Sequence, residues 1–187
     1  PDPDHYITAR DIALVTAATI REVPDYYSWY GDKEFTFNGI DQPNRNRLLW
    51  RDDSVDGVKT GHTKAAGFCL VASAKRGDMR LTSVIMGTNG EEARARDSLA
   101  LLNYGFRFFE NHRLYPAGKP LETLRVWKGD IEDLPVGPAT DVNATIPRGR
   151  YDKLGARIEK NPDITAPLAK GDQVGEVVVT LEDEVIN

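Results

Sequence analysis

The chain has 187 residues, 40% of them hydrophobic and 28% charged, which supports a packed core and excludes a disordered chain or one built of membrane spans. A formal net charge of −5, with basic residues scattered along the sequence, argues against nucleic acid as a partner, because phosphate binding needs a basic face. The single cysteine, Cys69, excludes an internal disulfide, and no Cys/His cluster has zinc-ligand spacing, so neither a metal nor another cofactor is implied.

The opening stretch, PDPDHYITARD, lacks a signal-peptide pattern and reads as a loop cut in mid-chain, so a processed or partial chain is expected. TARDIALVTAATIREVP then predicts a helix. Thr8 can cap it, with Asp11 reaching back as in a capping box; Ile12, Ala13, Ala17 and Ile20 have helical spacing, and Pro24 ends the run. In EFTFNGIDQPNRNRLLW the Phe35/Phe37 alternation predicts a short strand, with Asn38-Gly39 as a turn. Three strands follow, at 55–61, 66–75 and 79–87, the last two joined by a tight turn at Arg76-Gly77-Asp78. Such short connections predict an antiparallel meander, and the first strand, carrying glycines and charges, is its expected edge. GEEARARDSLALLNYGFRFFE predicts an amphipathic helix that lays Ser98, Leu101, Leu102, Gly105, Phe108 and Phe109 across the sheet. After Glu110 proline and glycine rise and the apolar stretches shorten to LRVW, VNATI and VGEVVVTLED, the texture of a small antiparallel β domain. The expected division is 1–112, an α/β layered portion, and 113–187, β-rich.

The stretch VDGVKTGHT at 55–63 closes the predicted edge strand. By itself the triplet Lys-Thr-Gly also fits a solvated lysine followed by a turn. Its chemistry suits a site as well: Lys59 puts a compact positive charge at the lip of a cleft, and Thr60 offers a hydroxyl to an anion or carbonyl. Gly61 lets an extended substrate lie against the strand edge, and the amide of His62 can point at a developing oxyanion.

The triplet is also the third motif of serine β-lactamases and penicillin-binding proteins. NRNRLLW, VDGVKTGHT, AGFCLVASAKRGDMRLTSVIMG and ARDSLALLNYGFRFFE, in this order, resemble the low-molecular-mass penicillin-binding proteins that are serine D-alanyl-D-alanine carboxypeptidases. The β-rich tail with TIPRGR is similar to their second domain, so the likeness extends over the whole chain. The resemblance implies an α/β (α+β) layered β-lactamase/transpeptidase-like domain with an antiparallel sheet, here incomplete, followed by a smaller β-rich domain. It implies removal of the terminal D-alanine from peptidoglycan stem peptides through a serine acyl-enzyme, with β-lactams as inhibitors.

By the same resemblance Lys59 is the catalytic and electrostatic lysine, and Thr60 helps bind the terminal carboxylate. Gly61 lies on the docking strand, and His62 supplies a backbone oxyanion donor. Arg94 matches the arginine early in the following helix that holds the same carboxylate, with Arg96 as the alternative. A cation in a first helical turn opposes the macrodipole by about 0.3–1 kcal/mol, which is consistent with a ligand role; pairing of Arg94 with Glu91 or Asp97 is the plainer reading.

The family's Ser-x-x-Lys and Ser-x-Asn elements are not found upstream of Lys59. The five serines are Ser28, Ser54, Ser73, Ser83 and Ser98, and none has a lysine three residues on. The nucleophile is therefore expected from an N-terminal portion of the same enzyme, and this chain alone is expected to be inactive. The family's C-terminal amphipathic helix, which makes a peripheral membrane contact on the periplasmic face, is likewise expected outside this chain. A serine β-lactamase and a non-catalytic cell-wall binding module are the rival readings.

Cys69 is expected in the core, His5 and His112 in structural or surface roles, and at least two of Trp29, Trp50 and Trp127 are expected to be buried. Asp56 is expected to serve the backbone rather than act as a base. The basic pair in Asn44-Arg45-Asn46-Arg47 lacks the surroundings of a nucleic-acid patch.

Overall fold

A computed structural model describes residues 2, 4 and 6–186; His5 lies outside the described residues. The chain divides into two compact units, Pro1–Phe108 and Phe109–Asn187. The break falls where the last helix of the first unit ends.

Helix α1 (Ala9–Glu22) starts with the capping box expected from Thr8 and Asp11: the Asp11 amide donates to Thr8 Oγ1 at 3.1 Å, and the Thr8 amide donates to Asp11 Oδ2. Its inward line is centred on buried Thr16, with Ile12, Ala13 and Ile20 half-buried beside it. Ala17, expected inside, is exposed because it lies one residue, about 100° of helical turn, beyond Thr16. Pro24 does end α1, and it also opens the short helix α2 (Pro24–Tyr27), where its missing N–H is no loss. After a 3-10 turn at Ser28–Gly31, strands β1 (Glu34–Phe37) and β2 (Ile40–Pro43) form the expected hairpin, with Asn38 and Gly39 both at positive φ.

The centre of this unit is an antiparallel sheet in the order β3 (Val55–Thr63), β4 (Gly67–Arg76), β5 (Met79–Thr88). β4 is central and its Leu70, Ala72 and Ala74 enter the main core with Leu48, Leu49, Val55, Ala95 and Leu102. Helix α3 (Glu91–Phe108) lies over this face and buries Arg94, Ala95, Ser98 and Leu102. Leu101 and Phe108, expected on that face, are each 47% exposed, and Phe109 opens a strand instead of extending the helix. The buried stripe passes through 95, 98 and 102, and Leu101 sits a hundred degrees off it.

The second unit is all β. β6 (Phe109–Tyr115) pairs with β9 (Val142–Pro147), β7 (Glu122–Arg125) with β8 (Asp133–Val136), and β10 (Leu154–Lys160) with β11 (Gly175–Leu181), which also pairs β12 (Glu184–Val185). Two small cores hold it, one around Leu124, Val126 and Ile164, the other around Ala144, Ile146 and Val179. The three apolar stretches marked in the sequence each supply a strand. Among the described residues no helix is long and apolar enough to cross a membrane.

One buried side chain ties the first unit's loops to its sheet. Asn46, 1% exposed, donates from Nδ2 to the Gly57 carbonyl at 2.9 Å and accepts the Leu48 amide at 3.2 Å, capping the 3-10 turn Arg47–Trp50. Removing it strands a buried acceptor and a buried donor. Asn46→Ala is expected to lower the stability of the first unit by about 2–3 kcal/mol, measured as a lower urea midpoint; a loss below about 0.5 kcal/mol contradicts the role given to this residue.

Candidate active site

Strand β3 pairs with β4 on one side, in the register Lys59↔Val71, Thr60↔Leu70, Gly61↔Cys69 and His62↔Phe68. Among the described residues its other edge pairs with no strand. Gly61 and His62 are exposed, Lys59 is exposed and Thr60 half-buried, so this margin is open to a ligand that hydrogen-bonds along a strand edge. Because side chains alternate, Lys59 and Gly61 share one face while Thr60 and His62 share the other. The Lys59 ammonium bends back and donates to the Thr60 carbonyl at 2.7 Å. It thereby leaves its face for the strand backbone.

Arg94 reaches the same place from α3. Its side chain is 4% exposed, and Nη1 donates to the Gly61 carbonyl at 3.3 Å while Nη2 meets Glu91 Oε1 at 3.3 Å. The guanidinium lies over the Phe68 ring, 5.6 Å from its centroid, and the same ring stacks on the His62 imidazole at 3.9 Å. The pairing with Glu91 weighed from the sequence is therefore present, and so is a contact to β3. Glu91 and Glu92 sit in the first turn of α3, where their charges suit the helix dipole and offset the cation that follows. Arg96 is exposed and pairs with its neighbour Asp97. The structure thus brings Lys59, Thr60, Gly61, His62 and Arg94 to one strand end and leaves Arg96 out.

Residues 1–90 match the family described as D-alanyl-D-alanine carboxypeptidase, and residues 109–187 match penicillin-binding protein 5, C-terminal domain. The D-alanyl-D-alanine carboxypeptidases DacC and DacA of Escherichia coli are 46% and 48% identical to this chain over 98% and 97% of its length. The chain belongs to the D-alanyl-D-alanine carboxypeptidase family. It spans about half the length of these curated relatives, 46% and 45% respectively. Penicillin-binding protein 5 of Haemophilus influenzae superimposes on all of the chain with a TM-score of 0.83 at 44% identity, using 55% of its own length. The fold is accordingly that of penicillin-binding proteins, with helices and small antiparallel sheets in an α+β arrangement.

Around β3 lie groups that sequence reading missed. β3 carries a bulge between Val55 and Gly57, and the extra residue is Asp56. The Asp56 carboxylate takes both arms of Arg80, at 2.8 and 2.7 Å, and the Tyr27 hydroxyl at 2.7 Å; Arg80 Nη1 also donates to Ser73 Oγ at 2.7 Å. The residues are distant in sequence, so only the side-by-side placement of three strands and α2 reveals the cluster. The NRNR stretch is structural: Asn44 donates to the Asp32 carbonyl, Asn46 is buried and Arg47 reaches Glu91.

The expectation for tryptophan was wrong. Trp29, Trp50 and Trp127 are 65%, 45% and 51% exposed. Trp29 sits on a 3-10 turn and helps line an open cavity of about 550 Å³ with Phe35, and Trp127 carries Arg125 over its ring at 4.4 Å rather than entering a core. Cys69 is half-buried at the rim of β4 rather than deep in the core, its Sγ 3.4 Å from the Ala66 carbonyl. His112 is half-buried, 3.3 Å from Glu110 and against the Tyr151 ring.

Burial pushes the Tyr27 hydroxyl up to about 12, and its bond to Asp56 adds to the rise. The folded chain therefore favours the neutral phenol: this stabilisation is whole below the unfolded value near 10 and is lost as pH climbs through the folded value. Tyr27→Phe is expected to cost roughly 1–2 kcal/mol at neutral pH and to flatten the alkaline loss of stability between pH 10 and 12. Melting curves across that range check it; identical slopes in both proteins contradict the assignment.

Proposed function

We propose that this chain is the substrate-strand part of a D-alanyl-D-alanine carboxypeptidase that removes the terminal D-alanine from peptidoglycan stem peptides through a serine acyl-enzyme. The single observation that carries the reading is the open, exposed margin of β3, with the Lys59 ammonium on the Thr60 carbonyl and the Arg94 guanidinium on the Gly61 carbonyl. Family membership supplies the reaction; the margin supplies a place for its substrate. The enclosing domain is of the β-lactamase/transpeptidase type, and residues 113–187 belong to the β-rich second domain.

The stem peptide lies along the edge as an added strand, with its terminal carboxylate at Thr60 and its scissile carbonyl at the His62 amide. In that order the peptide runs antiparallel to β3. Arg94 adds positive charge to the carboxylate from beneath the strand, using donors beyond those it gives Gly61 and Glu91. Lys59, drawn to the strand backbone, stabilises the charge that develops during acylation. The attacking serine comes from a part of the protein outside these 187 residues. A β-lactam occupies the same edge and leaves a slow acyl-enzyme. The protein acts in the periplasm, peripheral to the inner membrane.

In the enzyme that contains this chain, Lys59→Ala is expected to slow acylation by a fluorescent penicillin by roughly 100-fold or more; an unchanged rate removes Lys59 from the site. Failure of the unmutated enzyme to label at all favours a non-catalytic wall-binding module. Faster deacylation from a β-lactam than from a D-alanyl-D-alanine peptide favours a β-lactamase.

Arg94→Ala is expected to reduce turnover of peptides with a free C-terminal carboxylate by roughly tenfold to a hundredfold, as the loss of a charge-assisted bond predicts. Amidated peptides are expected to suffer far less. Equal losses on both refute the carboxylate role.

A further inference from the structure

The bulge at Asp56 has a geometric effect on everything after it. Val55 pairs with Ala74 and Gly57 with Ser73, so one residue of β3 has no partner. Side chains alternate with a period of two, and a one-residue slip moves each of them to the opposite face. With the bulge, Lys59 stands opposite Val71 and Thr60 opposite Leu70. Without it, Asp56 would pair Ser73, Lys59 would pair Leu70 on the core face, and Thr60 would turn away from Arg94.

Groups from four elements converge on the bulge. Asp56 is bound by Arg80 from β5 and by Tyr27 from α2, and Arg80 also binds Ser73 on β4, which is fully buried. The Tyr27 hydroxyl occupies the space where Gly57 lacks a side chain: a Cβ on Gly57 would lie 2.8 Å from it. On the other side Asn46 holds the Gly57 carbonyl. This polar bridge crosses all three strands on the face that Lys59 leaves from, two residue pairs before Lys59 itself.

We propose that Asp56 and Arg80 are positioning residues for the proposed reaction: their bidentate pair, seated by Tyr27 and Ser73, holds the bulge that decides which face of the sheet presents Lys59 and which presents Thr60. The pair is a device for register, and its effect on chemistry passes through the strand rather than through contact with substrate. The link to catalysis rests on the carboxypeptidase reading, whereas the link to register does not.

The test uses Asp56→Asn, which keeps the side chain's shape and removes its charge, and Arg80→Met, which keeps the stem and removes the fork. Cross-strand nuclear Overhauser contacts in this chain give the register, and penicillin acylation of the enzyme containing it gives the chemistry. In Arg80→Met the Lys59–Val71 and Gly61–Cys69 contacts are expected to weaken while Lys59–Leu70 contacts appear, with acylation falling at least tenfold. Asp56→Asn is expected to show the same exchange to a smaller extent, and Arg80→Lys, which cannot form the fork, not to restore the wild-type register. Native register in both Asp56→Asn and Arg80→Met overturns the proposal, whatever the activity. Should Arg80→Met not fold, Asp56→Asn decides alone. A shifted register with undiminished acylation upholds the register role and overturns instead the part given to Lys59.

Discussion

The pairing of β3 with β4 is the constraint on which the rest of the first unit depends. β4 is buried along Leu70, Val71, Ala72, Ser73 and Ala74, so its position is fixed by the core on one face and by the polar bridge on the other. β3 inherits its place from β4 through a ladder that runs from Val55 to Thr63. The ladder occupies one edge of β3, among the described residues no strand pairs with the other, and an unpaired edge of fixed geometry is what a peptide can extend.

Charge is arranged to support that edge. Glu91 stands between two arginines, 3.4 Å from Arg47 and 3.3 Å from Arg94, while Glu92 takes both arms of Arg51. The start of α3 is thereby tied to the 3-10 turn before β3. Most of these pairs are exposed and contribute little stability singly. Arg94 differs. It is almost wholly buried, so its charge needs partners at hand, and one of the two it finds is the Gly61 carbonyl of β3. A residue that balances a buried charge against β3 couples the placement of α3 to the placement of that strand.

The sequence was most legible where local chemistry decides the outcome. The capping box at Thr8 and Asp11, the Asn38-Gly39 turn, the hairpin after Arg76 and the order of the three strands all follow from near neighbours. Reading failed where a residue's surroundings come from far along the chain. The α3 stripe was misplaced at Leu101 and Phe108 because the sheet it packs on sets the rotation of the helix. The tryptophans were misjudged because a large apolar ring is not sufficient for burial when its turn or strand lies at the rim.

The sequence by itself determined the triplet Lys59-Thr60-Gly61, the edge character of the strand that bears it, and the change to short β elements after Glu110. Those are properties of residue type and spacing, which need no fold to be read. Tertiary structure alone decided the bulge at Asp56, the crossing of Arg80 to meet it and the buried seat of Arg94 under Gly61. Arg80 and Asp56, and Arg94 and Gly61, are pairs separated by more than twenty residues, and partners at that distance are chosen by packing, which no local pattern records.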